Sequence, residues 1–292
     1  MQLNGIILKG IGGFYYVETS QGIFECKAKG IFRKEKITPL AGDKVVITVR
    51  EDKDNTIDEI LPRKNCLKRP PVANIDKLFI VISAAKPNPN PLIIDKMIVL
   101  AEKNNIEPVI VITKTDLCDI SELVNIYRST GYRVYTFSSV DDTYVGEIKA
   151  ELSSCLVAFT GNSGVGKSTL INALSDNLNL ATAQISDKLG RGRHTTRQAE
   201  IFHIGDGLVI DTAGFSSIDF TDENLIFSRE LELYFKEFEE YIGQCKFTSC
   251  SHLGEKGCKV CEMVKQGIIN QSRYNSYVSM FQEVKDYKKW NV

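Results

Sequence analysis

The stretch Gly161-Asn162-Ser163-Gly164-Val165-Gly166-Lys167-Ser168-Thr169 constrains this chain more than any other. It fits G-x-x-x-x-G-K-[ST], a pattern whose glycines let backbone N–H groups converge on a phosphate at a helix N-terminus. Its flanks have the character that geometry needs. Cys155-Leu156-Val157-Ala158-Phe159-Thr160 is a short apolar run of the buried-strand type, and Thr169-Leu170-Ile171-Asn172-Ala173-Leu174 opens a helical pattern. Lys167 is expected to reach the outer phosphates and act in catalysis there, with the Ser168 hydroxyl on Mg2+.

Such a strand–loop–helix unit belongs in a sheet, and the preceding sequence supplies one. Lys77-Leu78-Phe79-Ile80-Val81-Ile82-Ser83, Pro108-Val109-Ile110-Val111-Ile112-Thr113 and Tyr132-Arg133-Val134-Tyr135-Thr136-Phe137 alternate with helical segments near Pro91 to Asn104, Ile120 to Thr130 and Gly146 to Glu151. Strands apolar on both faces, alternating with helices, predict a parallel sheet covered on both sides. Ligands in such a sheet bind at the C-terminal ends of the strands.

Those ends carry recognisable chemistry. Thr113-Lys114-Thr115-Asp116 puts a carboxylate after an apolar strand. Asp116 can accept from the ring N–H and the exocyclic amine of guanine together, a donor pair that adenine lacks. Losing a charge-assisted pair costs about 1.5–3 kcal/mol, enough to select the base. Lys114 is expected along the purine face, and Ser138-Ser139 is small enough for backbone N–H groups to approach the base oxygen. Further on, Leu208-Val209-Ile210-Asp211-Thr212-Ala213-Gly214 is a strand ending in D-x-x-G. Asp211 would hold Mg2+ through its water shell, and the Gly214 N–H would meet the γ-phosphate. Gly190-Arg191-Gly192-Arg193-His194-Thr195-Thr196-Arg197 is polar and glycine-rich, the composition of a loop that reorders. Thr196 is expected to complete the Mg2+ shell while the γ-phosphate is present.

These segments make a GTP-binding set, but in an unusual order: the base-reading strands precede the phosphate loop. The site needs only that all of them end at one edge of one sheet, so the order reads as a circular permutation.

Residues 1–65 have another character. Ile6-Ile7-Leu8, Phe14-Tyr15-Tyr16-Val17, Ile23-Phe24-Glu25-Cys26 and Val45-Val46-Ile47-Thr48-Val49 are separated by glycine-rich turns. About five short strands predict a small closed barrel of OB-fold size. Its basic residues (Lys27, Lys29, Arg33, Lys34 and Lys36, then Arg63, Lys64, Lys68 and Arg69) suit either a solvated surface or an RNA-contacting face. Pro70-Pro71 marks the passage to the sheet. A net charge of −1 excludes a globally basic nucleic-acid binder.

Among the eight cysteines, Cys26, Cys66, Cys118 and Cys155 are scattered, while Cys245, Cys250, Cys258 and Cys261 cluster around His252. Five donors for four places suggest a closed tetrahedral Zn2+ site, structural in role, that contributes folding energy to a region with a thin apolar core. Spacing alone leaves open a Cys3His set and an all-cysteine set using Cys261. Amphipathic helices are expected near Glu262 to Tyr287. No apolar run approaches the roughly 20 residues of a membrane span. The start, Met1-Gln2-Leu3-Asn4-Gly5, lacks a secretory pattern. A cytoplasmic monomer without membrane attachment is therefore expected.

T-K-x-D, GNSGVGKST, GRGRHTTR and DTAG, behind a small barrel and ahead of a Cys/His cluster, resemble the ribosome small-subunit-dependent GTPase A (RsgA) family over essentially the whole chain. The resemblance implies an N-terminal all-β OB-fold (1–65), a circularly permuted α/β P-loop GTPase domain (66–222) and a mostly α-helical zinc-binding domain (223–292). It implies hydrolysis of GTP to GDP and phosphate, with the small ribosomal subunit and its rRNA as partners in late maturation of that subunit. It favours Cys245, Cys250, His252 and Cys258 as the zinc ligands, and places a catalytic histidine at His194. Many GTPases orient the attacking water with a glutamine where this chain has Phe215, so intrinsic hydrolysis should be slow and the subunit should stimulate it. Ala213 departs from the family's usual proline but removes no ligand. The rivals are a P-loop ATPase, opposed by Asp116, and an RNA-binding scaffold with a purely structural nucleotide, opposed by Lys167, Ser168 and Asp211.

Overall fold

Alternating apolar residues curl the N-terminal strands around a small core. The computed structural model describes residues 1–51, 53–68, 71–141, 143–175, 199–210 and 226–286. Strands β1 (Gln2–Ile11), β2 (Phe14–Thr19), β3 (Gly22–Ala28), β4 (Lys44–Thr48) and β5 (Asn55–Ile60) close in the order β1-β2-β3-β5-β4. β3 and β5 run parallel and the other neighbours antiparallel, with helix α1 (Gly30–Lys34) between β3 and β4. This is the five-stranded OB-fold barrel. Ile7, Val17, Cys26, Val45, Ile47 and Ile57 fill it. The fifth strand, Asn-Thr-Ile-Asp-Glu-Ile, is mostly polar, and only Ile57 of it is fully buried.

A hairpin of β6 (Cys66–Lys68) and β7 (Pro71–Ala73) joins barrel to sheet, so Pro71 opens a strand. The junction is tightly bonded. Asn74 Nδ2 donates to Gly42 O at 2.9 Å, and Asn65 exchanges two bonds with Ile75 at 2.7 and 2.9 Å. A Cβ on Gly42 would lie 2.1 Å from Ala73 O, so only glycine permits this approach.

Beyond it, β8 (Lys77–Ser83), β9 (Glu107–Thr113), β10 (Arg133–Phe137), β11 (Leu156–Thr160), β12 (Ile201–Ile204) and β13 (Gly207–Ile210) form one sheet ordered β10-β9-β8-β11-β13-β12. All pairs are parallel except β12 with β13. The period-2 rule sorts β8 cleanly: Ile80 and Ile82 join the core under α2 (Pro91–Lys103) and α3 (Ser121–Arg128). Phe79 and Val81 face α4 (Val145–Ala150) and α5 (Lys167–Leu174). The Asn90 side chain caps α2 by accepting from Leu92 N at 3.1 Å, with Pro91 at the first helical position.

The C-terminal region has two 3-10 turns (Leu231–Tyr234 and Lys236–Tyr241) and helices α6 (Lys259–Lys265) and α7 (Gln271–Val284). Phe235, Phe238 and Tyr277 pack with ring centroids 4.9–5.2 Å apart. The buried Arg273 bonds Asp95 of α2 at 2.6 Å and Glu237 at 2.7 Å, and stacks on Phe235, pinning this region to the sheet domain. Among the described residues, no helix is long and apolar enough to cross a membrane.

Candidate functional site

The phosphate loop begins where β11 ends. Gly161 has φ 144°, and a Cβ there would lie 2.1 Å from Val81 O, so the loop leaves the sheet in contact with β8 backbone. Gly164 and Gly166 also have positive φ, 78° and 98°, and Gly166 starts α5. Val165 is buried and anchors the loop, while Ser163 and Gly164 are exposed at its tip. Asn162, Ser168 and Thr169 are partly exposed. Lys167 Nζ donates to Asn162 O at 2.9 Å and also to Gly161 O, so the ammonium rests on the loop's own carbonyls.

Thr113 lies beneath this loop and is almost wholly buried. Its hydroxyl faces Ile82 O at 3.1 Å and also Val165 O, two acceptors for one proton. It supports the loop from below. Lys114, at φ 58°, sends Nζ to Gly164 O at 2.8 Å and to Lys86 O. Thr115 Oγ1 reaches Phe137 O at 3.5 Å. Asp116 is exposed, and its Oδ1 accepts from Ser138 Oγ at 2.7 Å; Ser138 Oγ in turn accepts from Val140 N at 3.2 Å, with Ser139 exposed alongside. The residues expected to read the base therefore meet the phosphate loop at one sheet edge, oriented by each other. On the other side of β11, β13 pairs as far as Ile210 opposite Ala158. His194, Thr196, Asp211 and Gly214 lie outside the described residues.

The segment Ser83–Lys86 also borders the loop, a contribution that no motif announces. Ser83 Oγ donates to Lys86 O at 3.3 Å, presenting the carbonyl that Lys114 grips.

The second cluster lies in the C-terminal region. The donor atoms of Cys245, Cys250, His252 and Cys258 lie within 4.8 Å of one another. His252 Nδ1 is 3.5, 3.7 and 3.3 Å from the sulfurs of Cys245, Cys250 and Cys258, and the Cys245 and Cys258 sulfurs are 3.9 Å apart. Zn–S bonds of about 2.3 Å in a tetrahedron put sulfurs about 3.8 Å apart, so the donors fit zinc. Lys259 N and Cys261 N donate to the sulfurs of Cys245 and Cys258 at 3.3 and 3.4 Å, bonds that favour thiolates. Burial pushes the Cys258 and Cys250 thiols up, a cost that a divalent cation would reverse. Cys261 Sγ turns instead to Tyr274 OH at 3.4 Å and His252 O at 3.6 Å, outside the donor set. The all-cysteine alternative has no support in this geometry.

Of the barrel's basic residues, Lys27 pairs with Asp54 at 2.6 Å, Lys29 with Asp58 at 3.1 Å, Arg63 with Asp43 at 2.6 Å and Lys64 with Asp76. Arg33, Lys34 and Lys36, in α1 and just after it, are exposed without an acidic partner among the described residues.

The RsgA GTPase family matches residues 60–221 and the RsgA N-terminal domain matches residues 4–57. A protein of Caldanaerobacter subterraneus named small ribosomal subunit biogenesis GTPase RsgA is 46% identical over 99% of this chain and 98% of its own length. One of the same name from Bacillus subtilis is 44% identical over 97% and 98%. The crystal structure of YjeQ from Thermotoga maritima superposes with a TM-score of 0.85 at 35% identity, covering 99% of this chain and all of that one. That of YloQ, described as a circularly permuted GTPase, superposes with a TM-score of 0.82 at 37% identity, covering 99% and 96%. With matching family models over both barrel and sheet, and relatives alike from end to end, the chain belongs to the RsgA GTPase family.

Proposed function

We propose that this chain hydrolyses GTP to GDP and phosphate in biogenesis of the small ribosomal subunit, and that the subunit stimulates the reaction. The observation that carries the reading is the 2.8 Å bond from Lys114 Nζ to Gly164 O, which joins the base-reading loop to the phosphate loop. A guanine held by Asp116, over Lys114 and beside Ser138 and Ser139, would project its phosphates toward Gly161–Thr169. The names of the relatives supply the ribosomal context.

In this reading Lys167 exchanges the carbonyls of Gly161 and Asn162 for the outer phosphates, a stronger charge-assisted partner. Thr113 and Thr115 keep the two loops in register. Ser168, Thr196 and Asp211 would hold Mg2+, which neutralises phosphate charge. Gly214 reports the γ-phosphate, and His194 orients water in place of the glutamine that Phe215 replaces. Cys245, Cys250, His252 and Cys258 hold one structural Zn2+. Residues 1–65, 66–222 and 223–292 act as RNA-binding barrel, GTPase and zinc domain in a cytoplasmic monomer, with Arg33, Lys34 and Lys36 as the barrel's available phosphate contacts.

A GTPase assay with and without purified small subunits tests this. Expected are slow release of phosphate alone, a marked rise with subunits, and loss of that rise in His194→Ala. Absence of turnover even with subunits would leave a nucleotide-stabilised RNA-binding scaffold, and displacement of bound GDP by equimolar ADP would replace the guanine assignment.

A further inference from the structure

We infer that Glu232 is a positioning residue of the metal centre, fixing which nitrogen of His252 faces the cysteines and tying the centre to the segment that follows β13. The inference rests on the zinc reading above and adds a residue outside the ligand set.

A neutral imidazole carries one N–H and one lone pair, and only the lone pair can bind a metal. His252 Nε2 lies 2.6 Å from Glu232 Oε2, while Nδ1 faces three sulfurs at 3.3–3.7 Å. A carboxylate can only accept here, so the proton is held on Nε2 and the Nδ1 lone pair points into the donor cluster. With Glu232 in place, water does not compete for Nε2, because His252 is only 2% exposed. Phe238 and Tyr277 flank the ring, with centroids 5.9 and 6.3 Å away, and limit its rotation. Such carboxylate partners raise ligand basicity and orient the ring, and their removal typically weakens metal binding 10- to 100-fold.

The position of Glu232 in the chain gives the bond a second consequence. It stands on the 3-10 turn Leu231–Tyr234, between the fully buried Leu231 and Phe235. This is the first described segment after the D-x-x-G run, and its core contains Val99 of α2. The cysteines come from residues 245–258, whereas the partner that orients the histidine comes from the connection to the nucleotide sheet. Metal affinity and the placement of residues 226–235 are therefore linked, and by reciprocity each strengthens the other.

The test uses full-length, zinc-loaded protein with Glu232→Gln and Glu232→Ala. Competition with a chromogenic chelator should show Kd for Zn2+ raised roughly tenfold in the Gln variant and roughly 100-fold in the Ala variant. Cobalt-substituted protein should keep its tetrahedral absorption in both, because the donors are unchanged. In long-range 1H–15N spectra, the His252 Nε2 proton should be downfield and slow to exchange in wild type, shifted in Gln and exchange-broadened in Ala. A general loss of fold would not move that proton selectively, and if Ala fails to fold, the Gln variant decides. Zinc affinity within twofold of wild type in the folded variants, or an unmoved Nε2 proton, overturns the role of Glu232. Wild-type protein that binds no zinc overturns the site itself, an outcome distinct from the first.

Discussion

Thr113→Val removes one oxygen from beneath the phosphate loop and changes little else. The side chain is 1% exposed, and valine has nearly the same shape, so the effect comes from hydrogen bonding rather than from a cavity. Two buried carbonyls, Ile82 O and Val165 O, lose their shared donor. Stranding a buried acceptor costs about 1–3 kcal/mol. If that cost falls on the loop geometry that accepts phosphate, GDP binding weakens by roughly 5- to 150-fold, at about 1.4 kcal/mol per decade. Calorimetric titration with GDP measures the binding, and urea unfolding with and without saturating GDP separates loss of fold from loss of site. Thr113→Ser keeps the hydroxyl and should recover most of the affinity. GDP affinity within twofold of wild type in the folded valine variant would refute the idea that the hydroxyl holds the loop.

Gly161→Ala sets a methyl 2.1 Å from Val81 O, so β8 and β11 must part; a loss of about 3 kcal/mol is expected in urea unfolding, and an unchanged midpoint would contradict the contact. Asp116→Asn should weaken GDP by roughly 10- to 150-fold through loss of a charge-assisted pair, with unfolding little altered. Xanthosine diphosphate, with a carbonyl where guanine has its amine, should gain affinity in the same variant, and GDP binding at wild-type strength would exclude Asp116 from base reading. Burial raises the Glu151 pKa, but hydrogen bonds from Lys77, Tyr135 and Arg133 outweigh it and hold the carboxyl below its ordinary value. A depressed carboxyl contributes stability that is full above its unfolded pKa of about 4.3 and lost as pH falls through the folded value. Glu151→Gln should therefore flatten the acid limb of urea midpoint against pH below that value, and an acid limb as steep as wild type would sink the assignment.

What was legible in the sequence follows from local chemistry. The runs of β8, β9 and β11 declared themselves because both faces are buried, and the phosphate loop because its glycines answer to close backbone contacts such as that of Gly161 with Val81. Strand β5 gave no such signal: Asn55, Thr56, Asp58 and Glu59 make it look like a loop, and it is a strand because β3 and β4 supply its partners. The prolines at 70 and 71 read as a boundary, yet Pro71 sits in a two-stranded hairpin, where few ladder bonds are needed. Spacing did not separate four zinc donors from five candidates; the family resemblance favoured the set with His252, and the turn of Cys261 toward Tyr274 gives the physical reason. Glu232 and Thr113 show the deeper limit. Their roles depend on partners brought close by packing, His252 in one case and Val165 in the other: Glu232 stands in no motif, and T-K-x-D marks Thr113 without showing that it supports the loop.

The order of strands also bears on how the sheet is made during synthesis. As the chain leaves the ribosome, β8, β9 and β10 appear first and can pair among themselves, β8 bonding only β9. The other side of β8 stays an open, largely apolar edge until residues 156–160 have been produced, because β11 is its second neighbour. Open strand edges invite pairing with other chains. The nascent molecule therefore passes through a stage at which β8, β9 and β10 can be assembled, β11 and the loop after it are unmade, and one edge of β8 is still exposed. The barrel precedes this stage and is bonded, through Asn74 to Gly42, to the residues just ahead of β8, so it tethers one end of the strand that, among the described strands, waits longest for its partner.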